Sequence, residues 1–229
     1  MDFKGEFALQ QGGRCFPLTI LDDHSRFALG LQACSSVRTA PTQAVLIDVF
    51  RRYGLPRRIT CDNGPPWGIQ NSRYTKLSVW LMRLGIRVSH SRPHHPQTQG
   101  KDERFHRTLE AEVLKYLLPE SLLVCQQRFT QWRYVYNNER PHEALGLQVP
   151  ARRYQPSSRA YPETLPALEY GPGDIVKRVH PRGHIKYKGR EFYLSMAFAG
   201  QQVALRTTTT DGVLDVYFAQ HCIDIINLN

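Results

Sequence analysis

The sequence predicts an α/β chain in which a mixed sheet flanked by helices is followed by a small all-β barrel. Strand-like segments come first and then alternate with segments of helical spacing, the order expected of a sheet covered by helices. A Pro/Ser/Arg-rich stretch without periodicity then interrupts the chain at 151–170 and reads as a linker. Beyond it, short β-branched and aromatic segments recur between turns, as in small antiparallel barrels. The expected division is a core at 1–150, a basic linker at 151–170 and a barrel at 171–229.

Taken in order, a β-type opening over Met1 to Leu9 meets a turn at Gly12 and Gly13, and the segments Phe16 to Asp22 and Phe27 to Ala33 complete a meander. From Pro41 to Tyr53, Ala44, Leu46, Ile47 and Phe50 recur at helical spacing until Gly54-Leu-Pro stops the run. Arg58 to Cys61 is a short apolar strand, Leu77 to Leu84 a helix and Ile86 to His90 a strand. Two longer helices follow, about Gly100 to Leu118 and Ser121 to Tyr136. Six short strands are predicted after Gly171-Pro-Gly173, at 175–179, 184–187, 191–194, 202–206, 213–218 and 222–226.

Composition narrows the function. The 229 residues are 41% hydrophobic and 22% charged, ordinary for a globular protein. Thirty Lys and Arg against twenty Asp and Glu give a net charge of +10, which favours a polyanionic partner such as nucleic acid. Five scattered cysteines (Cys15, Cys34, Cys61, Cys125, Cys222) form no Cys-x-x-Cys pair, which speaks against a disulfide framework and a zinc finger and for a reducing cytoplasm. The chain opens on Met-Asp-Phe-Lys-Gly without a basic-then-apolar leader, and no apolar run approaches the roughly 18 residues of a membrane span, so neither export nor insertion is expected.

Three acidic positions carry the chemistry. Asp62 ends an apolar strand, and the Asn63-Gly64 turn leaves its side chain at the sheet edge, where a rigid strand can aim a carboxylate at a cation. Asp2 lies in the first strand. Glu103 sits in the first turn of a helix whose stripe is Phe105, Leu109, Val113 and Tyr116, and it flanks that stripe. Each has a plainer reading: a turn that ends a strand, a solvated charge, a helix-dipole partner shared with Asp102. Glu110 is a rival for the third position, and Asp22 and Asp23 for the first. Three carboxylates suit two hard divalent cations about 3.5–4 Å apart, the arrangement that supports in-line displacement at phosphorus.

With these residues go Leu21-Asp-Asp-His-Ser-Arg26, His95-Pro-Gln-Thr-Gln-Gly-Lys-Asp-Glu103-Arg-Phe and Tyr136-Asn-Asn-Glu-Arg-Pro-His-Glu-Ala-Leu145. The ordered set, over about residues 1–150, closely resembles the catalytic core of DDE transposases of bacterial insertion sequences and retroviral-type integrases. The resemblance implies a ribonuclease H-like fold and carries Asp2, Asp62 and Glu103 onto the family's catalytic, metal-binding acids. It implies Mg²⁺ or Mn²⁺, two ions per site, and separates Glu103 from Glu110, because the family's glutamate shortly follows the Pro-Gln-x-Gln-Gly segment. One departure is length: 40 residues separate Asp62 from Glu103, more than in many members, and the excess falls around Pro65 to Arg73.

The resemblance also implies that Gln99, Gly100 and Lys101 form a loop touching DNA beside the site, that transposon ends and target DNA are the partners, and that the protein acts as a homo-oligomer in the bacterial cytoplasm, at the nucleoid. His90, His94 and His95 lack the cysteine or second histidine pair that would complete a zinc set. Tyr134, Tyr136, Asn137, Arg140 and His142 read as residues that pack and end a helix. From Ala151 to Arg190 nine basic residues face three acidic ones, whereas Glu191 to Asn229 has one basic and four acidic. That polarity marks Arg152, Arg153, Lys177, Lys186 and Lys188 as candidate phosphate contacts. Metal-dependent cleavage and joining of DNA is therefore the leading expectation; a ribonuclease H-like nuclease that only hydrolyses and an inactive DNA-binding module are the alternatives.

Overall fold

The computed structural model describes residues 1–68, 73–90, 100–116 and 119–229, and within them the chain folds into two compact units. The first gathers Met1–Leu55, Thr60–Pro65 and His90–Tyr161. Its sheet is built around β3 (Arg14–Leu21), which pairs antiparallel with β4 (Ala28–Cys34) on one side. On the other side β3 pairs with β1 (Asp2–Phe3) and β2 (Phe7–Ala8), in registers Asp2↔Thr19 and Phe7↔Cys15. The predicted opening strand is thus two short pieces, parted where Gly5 takes a positive φ of 63°.

Helix α1 (Thr39–Tyr53) buries Leu46, Val49 and Phe50 and ends at Gly54, φ 79°. A side chain there would lie 2.5 Å from the Ser157 carbonyl oxygen, so glycine is required by the chain that crosses it. That crossing segment belongs to the predicted linker. After α5 (Pro150–Arg153), Tyr154 stacks on Phe27 at 4.4 Å, Ser157 N donates to Tyr53 O (2.9 Å) and Leu55 N donates to Arg159 O (2.7 Å). Residues 151–161 are therefore fastened to the first unit rather than hanging as a tether.

Helices α3 (Gly100–Glu112) and α4 (Leu122–Asn138) supply the unit's core, Phe105, Leu109 and Val113 meeting Cys125, Phe129 and Tyr136 over Cys15, Leu31 and Ala33 of the sheet. The predicted helix from 100 to 118 ends earlier and continues as a 3₁₀ turn over Leu114–Tyr116; residues 117 and 118 lie outside the described part. Ser121 caps α4 by accepting from Val124 N (3.4 Å). Near its far end, buried Asn137 accepts from Ala28 N (2.8 Å) and donates to Ala28 O (3.0 Å), tying the helix to the first residue of β4. Asn137→Leu should cost about 1–3 kcal/mol, because it strands the Ala28 N–H in a dry place, while Ala28 O keeps the Arg133 guanidinium at 3.2 Å. A chemical denaturation midpoint unchanged from wild type would refute that assignment.

The second unit gathers Pro56–Ile59, Pro66–Ser89 and Pro162–Asn229. In it, α2 (Lys76–Arg83) starts with a capping box, Thr75 Oγ1 accepting from Ser78 N (3.1 Å) and Ser78 Oγ from Thr75 N (2.8 Å). Val79 and Met82 of this helix share a core with Val203, Leu205, Val216 and Phe218. β5 (Arg58–Cys61) and β6 (Arg87–His90) form a separate two-stranded sheet. Arg87 N donates to Arg57 O (3.0 Å), and at the other end His90 Nδ1 lies 2.9 Å from Asp62 O. The two strands therefore run the same way.

The C-terminal strands are β7 (Ile175–Arg178), β8 (His184–Tyr187), β9 (Arg190–Tyr193), β10 (Gln202–Thr207), β11 (Val213–Phe218) and β12 (His221–Asn227). All six sit close to their predicted places, but the predicted barrel does not close. β12-β11-β10-β7 form an open antiparallel sheet, and β8 and β9 pair only with each other. No ladder among the described residues joins that hairpin to the sheet.

Candidate active site

Asp2 and Asp62 are brought together by backbone contacts. The Met1 ammonium, directly before Asp2, donates to Thr60 O (2.9 Å), which sets the start of β1 beside the end of β5. Asp2 Oδ1 accepts from Phe3 N (2.7 Å). Its carboxyl is nevertheless pushed up to about 6, first by burial and then by the negative charge of Asp62. Asp62 is raised as well, by burial above all, against the opposing pull of the Gly64 N–H and of His90. Its Oδ1 is buried and has no hydrogen-bond partner among the described residues. Gly64 turns so tightly here that a Cβ would stand 3.0 Å from Asp62 Oδ2.

Two neighbouring carboxylates, both partly desolvated and one with an oxygen unpartnered among the described residues, concentrate negative charge. Hard divalent cations are the ligands that relieve both defects at once, so the donor set suits Mg²⁺ or Mn²⁺. The sign of the pH effect follows. The folded carboxyl of Asp2 titrates near 6 against 3.8 unfolded, so the stability it contributes is present below about pH 4 and is lost as pH rises through 6. In chelator, the melting temperature of Asp2→Asn minus that of wild type should grow between pH 4 and pH 6 and then level off. A difference independent of pH would contradict the assignment.

Glu103 is exposed in the first turn of α3 and does not join the pair. It is its neighbour Asp102 that faces the site, 3.6 Å from the Met1 ammonium and adding its charge to that of Asp62 on Asp2. No group of three or more Asp, Glu, His or Cys side chains converges at metal-binding distance among the described residues. The rivals are otherwise engaged. Asp22 accepts from the backbone N–H (2.8 Å) and hydroxyl of Ser25 in the turn after β3, Asp23 pairs with Lys101 (2.6 Å), and Glu110 pairs with Lys4 (3.0 Å).

Among the predicted DNA contacts, Gln99 lies outside the described residues, as do His94 and His95, and Gly100 opens α3. Lys101 is held by Asp23, while Arg152 and Arg153 are exposed on α5. In the second unit Lys177 and Lys188 stand over the ring of Tyr187, 5.8 and 5.7 Å from its centroid, and Lys186 pairs with Glu191 (3.0 Å). The motif from Tyr136 to Leu145 does pack and end a helix: Tyr136 sits edge-on to Phe105 at 4.9 Å, and Arg140 pairs with Glu112 after the last turn of α4.

The sequence reading missed one buried polar residue near the acids. His106 is 8% exposed, and its Nε2 lies 2.8 Å from Thr19 Oγ1, which also donates to Asp2 O (2.9 Å).

Comparison with known proteins assigns the class. Residues 1–96 and 84–150 match two models of the integrase core domain, and the fold agrees. The simian T-cell lymphotropic virus intasome, in complex with the PP2A regulatory subunit B56 gamma, has a chain that superposes with a TM-score of 0.54 at 15% identity, covering 100% of this chain and 77% of the other. The HTLV-2 integrase catalytic core domain in complex with magnesium gives 0.50 at 15% identity over 66% of this chain and 92% of its own. Residues 1–150 thus carry the ribonuclease H-like α/β core of integrases.

The remainder is more particular. Residues 174–229 match the C-terminal domain of IS481 family transposases, and the chain belongs to these integrase-core transposases. A protein of insertion element IS476 from Xanthomonas euvesicatoria is 28% identical over 71% of the chain, and a candidate transposase for insertion sequence element IS5376 from Geobacillus stearothermophilus is 25% identical over 76%. The chain spans only 46% and 44% of those two relatives, about half their length. No helix among the described residues is long and apolar enough to cross a membrane.

Proposed function

We propose that the chain cuts transposon-end DNA and joins the freed 3′ hydroxyl to target DNA at a site made by Asp2, Asp62 and Glu103. The observation that carries this reading is the pair formed by Asp2 and Asp62, whose carboxylates repel each other, with Asp62 Oδ1 buried and without a hydrogen-bond partner among the described residues. Mg²⁺ or Mn²⁺, two ions per site, would supply Lewis acidity to the scissile phosphodiester. Asp2 and Asp62, aimed by strand ends, would hold the cations between them, and Glu103 would complete the set from α3. The attacking oxygen belongs to water in cutting and to the DNA end in joining, so no covalent enzyme intermediate is needed.

In this reading residues 1–150 are the catalytic core, and 171–229, after the basic stretch 151–170, bind DNA or dock on the core or on another subunit. Gln99, Gly100 and Lys101 touch DNA beside the site, and Arg152, Arg153, Lys177, Lys186 and Lys188 serve DNA phosphates. Two DNA ends must be handled together, which favours a homo-oligomer, and the bacterial insertion-element relatives favour action on nucleoid DNA in the cytoplasm. Labelled end DNA with Mg²⁺ or Mn²⁺ tests the activity: joined products support the proposal, cut products alone favour a nuclease, and neither leaves a binding module. Lys101→Ala should lower the salt slope of DNA binding by about one counterion if its ammonium leaves Asp23 for a phosphate. An unchanged slope would leave Lys101 as the partner of Asp23 only.

A further inference from the structure

We infer that His106, through Thr19, is a positioning residue for the Asp2 carboxylate, coupling helix α3 to the strand that carries the first acid. The inference rests on the metal-dependent reading of Asp2 and Asp62 above.

The geometry fixes the direction of the bonds. Thr19 Oγ1 has one proton, and the Asp2 carbonyl oxygen 2.9 Å away can only accept it. Toward His106 the hydroxyl must then accept, so Nε2, 2.8 Å away, carries a hydrogen. The chain therefore runs from His106 Nε2–H to Thr19 Oγ1–H to Asp2 O. Thr19 is 1% exposed and His106 8%, which keeps water from substituting for either bond.

The relay matters because β1 is only two residues long. Such a strand has few ladder bonds to hold its direction, and the Asp2 main chain is the base from which its carboxylate is aimed. Thr19 is also the register partner of Asp2, so the hydroxyl braces Asp2 from the adjacent strand. His106 lies one helical turn beyond Glu103 on α3. One side chain thus links the helix that presents the proposed third acid to the strand that presents the first. The plainer account is a buried histidine that merely satisfies a buried threonine. That account makes both residues matter for stability but not for how tightly the folded protein takes up a cation.

The test is calorimetric Mn²⁺ titration of the full chain, alongside strand-transfer kcat and the KM for end DNA. Outer partners that orient metal ligands are commonly worth 10–100-fold in metal affinity, so Thr19→Val and His106→Leu should each weaken Mn²⁺ binding by about that factor, while His106→Gln stays within about threefold of wild type. The glutamine places an amide N–H at about the reach of the imidazole Nε2. kcat should fall with Mn²⁺ affinity, and KM for DNA should hold. The double variant should lose no more than either single one, because both changes cut the same chain. Wild-type Mn²⁺ affinity in folded Thr19→Val or His106→Leu overturns the relay, and so does a glutamine variant as impaired as the leucine one. If His106→Leu does not fold, Thr19→Val decides alone. Asp62→Asn is the control: a wild-type chain that takes up no Mn²⁺, or an Asp62→Asn chain that takes it up normally, refutes the metal reading itself and the relay with it.

Discussion

Asp62→Asn should abolish metal-dependent cutting and joining, a loss of at least about 10³-fold, while leaving the protein folded. The substitution keeps the size of the side chain and removes the anionic oxygen that a hard cation requires. Because Asp62 Oδ1 has no hydrogen-bond partner among the described residues, no native bond is broken at that atom. The repulsion that helps push Asp2 up to about 6 disappears at the same time. The metal-free variant should therefore melt no lower than wild type at neutral pH. What it should lose is the response to metal. At a Mn²⁺ concentration 100 times the dissociation constant, binding to the folded state adds about 2.7 kcal/mol, roughly 5–10 °C in melting temperature for a chain of this length. Thermal melts with chelator and with Mn²⁺ give the answer directly: a wild-type shift that persists in Asp62→Asn would place the cation elsewhere.

What could be read from the sequence was what local chemistry determines. The strand into Asp62-Asn63-Gly64, the helix stop at Gly54 and the six C-terminal strands all follow from periodicity and turn residues. Closure of the C-terminal strands could not be read, because it depends on which distant strands pair. The hairpin of β8 and β9 has the composition of barrel strands, yet among the described residues it forms a strand ladder only with itself. The acids show the same division. The sequence placed Asp2 in the first strand and Asp62 at a strand end, but the engagement of Asp22 by Ser25 and of Glu110 by Lys4 needs a fold to be visible. His106 was missed because a lone histidine beside an apolar stripe carries no signal of its own. Its meaning comes from Thr19, 87 positions earlier.

The third acid is decided by comparing three substitutions near the proposed site. Glu103→Gln should lower strand transfer by about 10²–10³-fold, the scale of removing one electrostatic stabiliser from an organised site. Glu110→Gln should keep most activity, since that carboxylate is exposed and already paired with Lys4 at 3.0 Å. Asp102 is the demanding comparison. It points toward Asp2 and the Met1 ammonium, whereas Glu103, the next residue on the helix, is exposed. Successive residues on a helix diverge by about 100°, so both cannot enter the site from one setting of α3. Without a cation, carboxylates gathered in one place repel one another, and Asp102 adds its charge to that of Asp62 on Asp2. Cations, if held by Asp2 and Asp62 as proposed, would reverse that balance and favour a further anionic ligand, for which Glu103 has no competing ion pair among the described residues. Asp102→Asn should accordingly cost much less than Glu103→Gln, and its loss should not be recovered by raising Mn²⁺. Should Asp102→Asn be inactive and Glu103→Gln retain wild-type turnover, the helix is set as it stands in this structure, and Asp102 is the third ligand.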